Sequence, residues 1–270
     1  MESLYLRPWR SFLRFQDLPG DMPARVYIAG LGMASSGTFT RVITDPTLSG
    51  YRSVLVDLLG FGLSDRPPEF GYTLEEHALV VAELLDHIGL RGCAVIGHSL
   101  GGSVAITLAT LRPDLVSNLV VAEANLDPGG GAFSSVIAAQ SEEEFIRTGS
   151  AAFLERILTC AAEGDESMAA YAGMLQVAAP RAVYRSALAL VEGIRPAMRA
   201  RYNELPMPRA YIYGERSVPR DRASVLPDAP DPKELVEHGI RVFIVPRAGH
   251  FMMFDNPAGF AQALKDALST

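Results

Sequence analysis

The sequence predicts an α/β protein: a mostly parallel central sheet with helices on both faces, interrupted late in the chain by a helical insertion. Three observations carry that expectation. Short apolar runs, most of them rich in Val and Ile, alternate with stretches of helical period, the pattern that builds a parallel sheet covered on both sides. One run gives way to a helix at Gly97-His98-Ser99-Leu100-Gly101, a serine set between two glycines. From about residue 127 to 205 no strand-like run occurs, only helical stretches rich in Ala, Glu and Met.

Taken in order, residues 24–29 and 53–58 read as the first two strands. Thr73-Leu74-Glu75-Glu76 is a capping box, and Leu74, Ala78, Val81, Leu85 and Ile88 follow at helical spacing until Gly89 ends the helix. Residues 93–96 form a short apolar run typical of a strand buried on both faces. A helix over 99–111 follows and stops at Arg112-Pro113, since proline cannot continue it. Residues 119–122 are the next strand, and the insertion then opens on Gly129-Gly130-Gly131, a loop or a hinge. Residues 210–213 and 241–245 complete the strands, with a Pro-rich surface excursion over 217–232 between them, containing Pro219, Pro227, Pro230 and Pro232. Asn256-Pro257 supplies an N-cap and a proline at the first helical position for a last helix through Leu268.

A length of 270 residues suits one core with an insertion, expected as 1–127 and 206–270 for the core and 128–205 for the insertion. Apolar residues make up 49% and charged residues 20%, enough for a large core and too apolar for disorder. A net charge of −7 argues against a nucleic-acid footprint. The nearest basic cluster, Arg195, Arg199 and Arg201, reads as a solvated helix face. Cys93 and Cys160 belong to no C-x-x-C pair, so neither a zinc site nor a disulfide framework is expected, and Cys93 reads as a small core hydrophobe. Neither a signal-like segment nor 18 uninterrupted apolar residues occurs, so a soluble cytoplasmic chain acting on a small molecule is expected.

The G-x-S-x-G pattern makes physical sense at a strand-to-helix turn too tight for side chains two residues before and after the serine. A plain glycine-rich turn with Ser99 capping the helix is the bland alternative. A serine hydroxyl is a poor nucleophile at neutral pH and needs a base, which in turn needs an orienting carboxylate. Among five histidines, His77 and His87 fall inside the capped helix and His238 in a charged stretch, so all three are expected at the surface. His98 adjoins the nucleophile around a sharp turn and is expected to pack structurally. His250, in Arg247-Ala248-Gly249-His250-Phe251, follows the last strand at the same sheet edge as Ser99 and is the expected base.

In the serine turn and the histidine loop, and over nearly its whole length, the chain resembles the α/β-hydrolase family. Ala29-Gly30-Leu31-Gly32 is similar to that family's oxyanion loop, the stretch from Asp57 to Ser64 to its D-x-x-G-x-G-x-S loop, Gly249-His250 to its catalytic histidine loop, and the helical insertion to its lid. The resemblance implies acyl transfer to water, with Ser99 as nucleophile and His250 as base. It implies backbone N–H donors from Leu31 and Leu100 for the oxyanion, and bracing of a loop by Asp57. The chain departs from the family's pattern at two places. Ala29-Gly30 stands where His-Gly is frequent, and Ser217 in Gly214-Glu215-Arg216-Ser217 stands where the acid is commonest. Some members carry the acid at the end of the preceding core strand, and here residues 119–122 run directly into Glu123. A carboxylate at such a strand end is costly to bury without a partner, and His250 would be that partner. Glu123 is therefore the preferred acid, with Asp127 and Glu215 as alternatives. No metal or organic cofactor is called for. The apolar residues Leu31, Met33, Leu126, Phe251, Met252 and Phe254 beside the motifs are expected to line a pocket for a small or medium ester, lactone or thioester. A cofactor-free lyase, an acyltransferase, a haloperoxidase-like enzyme and a ligand-binding receptor share the same motifs.

Overall fold

The computed structural model describes residues 1–193, 197–218 and 230–269. The chain opens with β1 (Glu2–Leu6), β2 (Ser11–Leu18) and β3 (Asp21–Ile28), followed by α1 (Ser35–Ile43) and β4 (Tyr51–Asp57). Then come α2 (Leu74–His87), β5 (Cys93–His98), α3 (Leu100–Leu111) and β6 (Val116–Ala122). The helical stretch between β6 and the next strand holds α4 (Ala132–Ala138) and α5 (Glu142–Glu144), the latter running through a π-helical turn, Phe145–Gly149, into α6 (Ser150–Ala162). α7 (Glu166–Leu175), α8 (Pro180–Glu192) and α9 (Met198–Glu204) complete it. β7 (Arg209–Gly214), α10 (Pro232–Glu237), β8 (Arg241–Val245), α11 (Met252–Asp255) and α12 (Pro257–Leu268) finish the chain.

The eight strands form one sheet in the order β1-β2-β4-β3-β5-β6-β7-β8, parallel from β4 through β8. β1 and β2 join antiparallel at the β4 edge. These two strands and α1 were not anticipated from the sequence. All six residues of β5 are buried, as a central strand with helices on both faces requires. α2 and α3 pack together on one side, and α1, α11 and α12 on the other. The chain leaves β3 toward β4 in one direction and β5 toward β6 in the other, so the loops that follow these neighbours diverge and leave a crevice at the sheet's carboxyl edge. Register brings those ends level: Gly97 lies opposite Ile28 on one side and Val121 on the other.

The caps form as their residues demand. The Thr73 hydroxyl accepts from the Glu76 N–H, a Glu76 carboxylate oxygen accepts from the Thr73 N–H, and Asn256 Oδ1 accepts from the Gly259 N–H at 3.0 Å. Gly129-Gly130-Gly131 forms a turn tied to α8 through Gly129 N–H donating to the Val191 carbonyl at 2.8 Å. Within the Pro-rich excursion Pro232 opens α10, while Pro219 and Pro227, like Arg195 of the basic cluster, lie outside the described residues. Arg199 is not part of a solvated face. It is half-buried and ion-paired to Asp127 and Glu234, which ties α9 to the loop after β6. Cys93 is buried and Cys160 exposed, both as free thiols. No helix among the described residues is long and apolar enough to cross a membrane.

His87 and His238 are exposed as expected, but His77 is fully buried. Spacing explains it, because residue 77 shares a helix face with Leu74, Ala78 and Val81. Its ring sits among Phe61, Phe70 and Tyr72, with Nε2 3.2 Å from the Ser186 hydroxyl of α8. Burial pushes its pKa down to about 3, and burial lowers His98 as well. Both stay neutral in the folded chain, whereas their unfolded counterparts take up protons below about 6.5. For His77, stability therefore falls as pH drops from about 6.5 toward 3, by about 1.4 kcal/mol per pH unit, and His98 acts in the same direction. His77→Gln, which keeps a polar group for Ser186, is expected to flatten that fall. Urea denaturation at pH 6.2 and 5.2, read with the same protein pair, checks it; parallel losses in variant and wild type would contradict it.

Candidate active site

Ser99 sits at φ 52°, ψ −122°, outside the regions an L-residue prefers, between the end of β5 and the first turn of α3. Its N–H donates to the Ala122 carbonyl at 2.9 Å, and its own carbonyl accepts from Gly102 at 2.8 Å, which pins the strained turn from both sides. The flanking glycines are required by space. A Cβ on Gly97 would lie 2.3 Å from the Gly101 carbonyl oxygen, and one on Gly101 would lie 2.2 Å from that of Ile28. Gly101→Ala is thus expected to destabilise the fold by about 1–3 kcal/mol, since backbone must move to admit the methyl. A urea midpoint unchanged from wild type would contradict this.

Glu123 follows β6 directly and adopts φ 46°. Its N–H donates to the Ile212 carbonyl at 3.1 Å, which fixes the residue to β7, and its side chain is 6% exposed. Oε1 accepts from the Gly214 N–H at 2.7 Å, and Oε2 lies 2.8 Å from His250 Nδ1. A carboxylate can only accept, so Nδ1 carries the proton and Nε2 is left as the free lone pair. Of the three carboxylates weighed from the sequence, Glu123 is the one against His250. Glu215 instead accepts from the Arg247 N–H at 2.7 Å, and Asp127 is held by Arg199. Ser217 lines a cavity shared with Ser99, Glu123 and His250. The His250 loop is held by a residue not singled out from the sequence: Asp255 accepts from the Gly249 N–H and from Arg216, each at 2.7 Å.

The loop after β3 turns through Met33 N–H donating to the Gly30 carbonyl at 3.1 Å. Asp57 braces this region, accepting from the Ser35 N–H at 2.8 Å and the Leu63 N–H at 2.9 Å. Burial raises the Asp57 pKa above its ordinary value, with those N–H donors pulling against it. Leu31 lines the cavity with Ser99, and Leu100 opens α3, where first-turn N–H groups have no partner inside the helix.

Ser99, His250 and Glu123 line one cavity of about 300 Å³. Leu31, Met33 and Phe251 are in its wall as expected from the sequence. Leu126, Met252 and Phe254 are not. Leu126 is buried under the end of β6 beside a separate small void, Met252 is buried in the core, and Phe254 packs against the core with its ring 6.3 Å from that of Phe251. Apolar wall also comes from Ala124 after β6, from Tyr211 and Tyr213 of β7, and from four residues of the helices between those strands: Phe133, Met168, Tyr171 and Leu190. Phe133 stacks on Tyr171 with centroids 5.6 Å apart and planes at 5°, and Tyr171 meets Phe251 at 5.2 Å. Local sequence carries no signal for these four beyond the Met and aromatic content of amphipathic helices, because which face meets the cavity depends on how distant helices pack.

The profile of the alpha/beta hydrolase family matches residues 26–263 of this chain. Haloalkane dehalogenase 2 of Mycobacterium tuberculosis is 29% identical over 228 residues, covering 79% of this chain and 77% of that protein. Among solved structures, a thermophilic esterase from Thermogutta terrifontis superposes with a TM-score of 0.79 at 21% identity, over 99% of this chain and 98% of the other. The enol-lactonase from Burkholderia xenovorans LB400 superposes at 0.80 with 17% identity over the whole of both chains. At these identities the structural likenesses speak to the fold.

Proposed function

The chain belongs to the alpha/beta hydrolase family, and from that premise we propose that it is a serine hydrolase cleaving a small or medium, partly hydrophobic ester, lactone or thioester. The observation that carries this reading is the 2.8 Å contact of Glu123 Oε2 with His250 Nδ1 in the cavity that Ser99 lines. His250 Nε2 takes the Ser99 proton as the hydroxyl attacks the acyl carbonyl. Leu31 and Leu100 N–H groups receive the oxyanion, each such donor contributing about 3 kcal/mol in the transition state. The leaving alcohol or thiol takes the proton back from His250, and a water, deprotonated by the same nitrogen, cleaves the acyl-enzyme. Glu123 holds the imidazole in the tautomer this cycle needs. Residues 128–205 act as a lid whose apolar side chains receive the acyl part.

A nucleophile's identity constrains the bond it can turn over. Displacement of halide from an alkyl carbon by a serine oxygen would end in an ether, which water does not cleave, whereas attack on an acyl carbonyl ends in an ester that water does. Ser99 therefore favours ester-type substrates over the haloalkanes named for the mycobacterial relative. The test is turnover of p-nitrophenyl esters of graded acyl length, together with labelling by a fluorophosphonate. Labelling confined to Ser99 and lost in His250→Ala is the expected result. No labelling, or ester consumption only when an acceptor alcohol is present, would overturn hydrolysis.

A further inference from the structure

Three strand ends meet at one side chain that takes no part in the proposed reaction. His98 ends β5 immediately before Ser99 and is fully buried. Its Nε2 lies 2.9 Å from the main-chain carbonyl of His250, and its ring centroid is 4.7 Å from that of the base. On the other side Nδ1 faces the loop after β3: a Cβ built on Gly30 would lie 3.1 Å from it and 3.3 Å from the Ser99 Cβ. Nδ1 is buried with no hydrogen-bond partner.

A carbonyl can only accept, so Nε2 carries the ring proton and Nδ1 a bare lone pair. An apolar side chain of similar size would fill the space and spare the fold an unsatisfied buried nitrogen, but it would leave the His250 carbonyl without its donor. A protonated His98 would place a cation beside the imidazolium that forms on His250 during turnover. The arrangement thus makes sense for an imidazole that is neutral, oriented and bonded to the base's own backbone.

We propose that His98 is a positioning residue: its Nε2–H holds the main chain of His250 while its ring seats the Gly30 loop, so that one side chain sets the spacing of nucleophile, base and oxyanion donors. This rests on the reading of Ser99 and His250 as nucleophile and base.

The test compares His98→Gln, whose amide can donate to the same carbonyl, with His98→Leu, which cannot, using an ester that the wild type turns over. His98→Leu is expected to lower kcat about 100-fold with KM little changed, as misplacement of a base by about 1 Å does, and to slow fluorophosphonate labelling alike. His98→Gln is expected to recover most of that loss. Nitrogen-15 NMR of the wild type is expected to show His98 as the Nε2–H tautomer, not titrating between about pH 5.5 and 8. Equal kcat in the two variants, a loss confined to KM, or an Nδ1–H or titrating His98 would overturn the proposal while leaving the hydrolase reading intact. A wild type inert to all esters and to the probe would overturn that reading instead, and the positioning role with it. If His98→Leu does not fold, the wild-type spectrum and the activity of His98→Gln decide.

Discussion

Ser99→Ala is expected to lower kcat by about five to six orders of magnitude and to abolish fluorophosphonate labelling, with binding of a product-like carboxylate unchanged. The size follows from what the hydroxyl supplies. In the proposed mechanism no acyl-enzyme forms without it, and what remains is the rate that oriented water and the proposed Leu31 and Leu100 donors can provide, about 10³ to 10⁴ over solution. The variant should fold as the wild type does, because the turn is held by main-chain bonds from Ser99 to Ala122 and Gly102, which alanine keeps. A companion variant separates chemistry from strain. Ser99→Gly is equally inactive, yet at φ 52°, ψ −122° glycine adopts without penalty a conformation that costs other residues about 1–3 kcal/mol. It should therefore denature at higher urea than Ser99→Ala. A Ser99→Ala enzyme with more than about one-thousandth of wild-type activity would mean that another group attacks the substrate.

The parts of this site readable from sequence are those fixed by where strands end. In a parallel sheet the carboxyl ends line one edge, so strand assignments bring Ser99 after β5, Glu123 after β6 and His250 after β8 to one place, while the G-x-S-x-G motif and the resemblance to the α/β-hydrolase family single them out there. The same logic set Glu123 above Asp127 and Glu215, and in the structure the latter two serve Arg199 and the Arg247 N–H. The unread parts depend on contacts that no local pattern encodes. β1 and β2 alternate buried Leu4, Leu6, Leu13 and Phe15 with exposed or half-buried neighbours over short spans, a weaker signal than the continuous apolar runs of the central strands. Leu126, Met252 and Phe254 adjoin site residues in sequence yet turn into the core or away from the cavity, whereas Phe133 and Tyr171 reach it from helices far along the chain. His77 was legible after all: its place three residues after Leu74 puts it on the buried face, and only the expectation that helix histidines are exposed hid it.

Glu123→Gln tests the acid, and the expected loss is about 10⁴-fold in kcat with KM little changed. The reason lies in the second oxygen. Oε1 accepts from the Gly214 N–H at 2.7 Å, and a glutamine must keep an acceptor there or leave that buried donor unpaired. The amide oxygen therefore faces Gly214, and the amide NH₂ is forced toward His250 Nδ1. Facing a donor, Nδ1 must become the lone pair, and the proton moves to Nε2, the nitrogen that has to receive the Ser99 proton. The variant holds the right residues in the wrong tautomer. Glu215→Gln and Asp127→Asn leave this arrangement untouched, and each is expected to stay within a few-fold of wild-type kcat. A Glu123→Gln enzyme that retains a tenth or more of wild-type kcat, beside an inactive Glu215→Gln or Asp127→Asn, would move the acid to that residue. It would also make the 2.8 Å contact between Glu123 and His250 a structural bond.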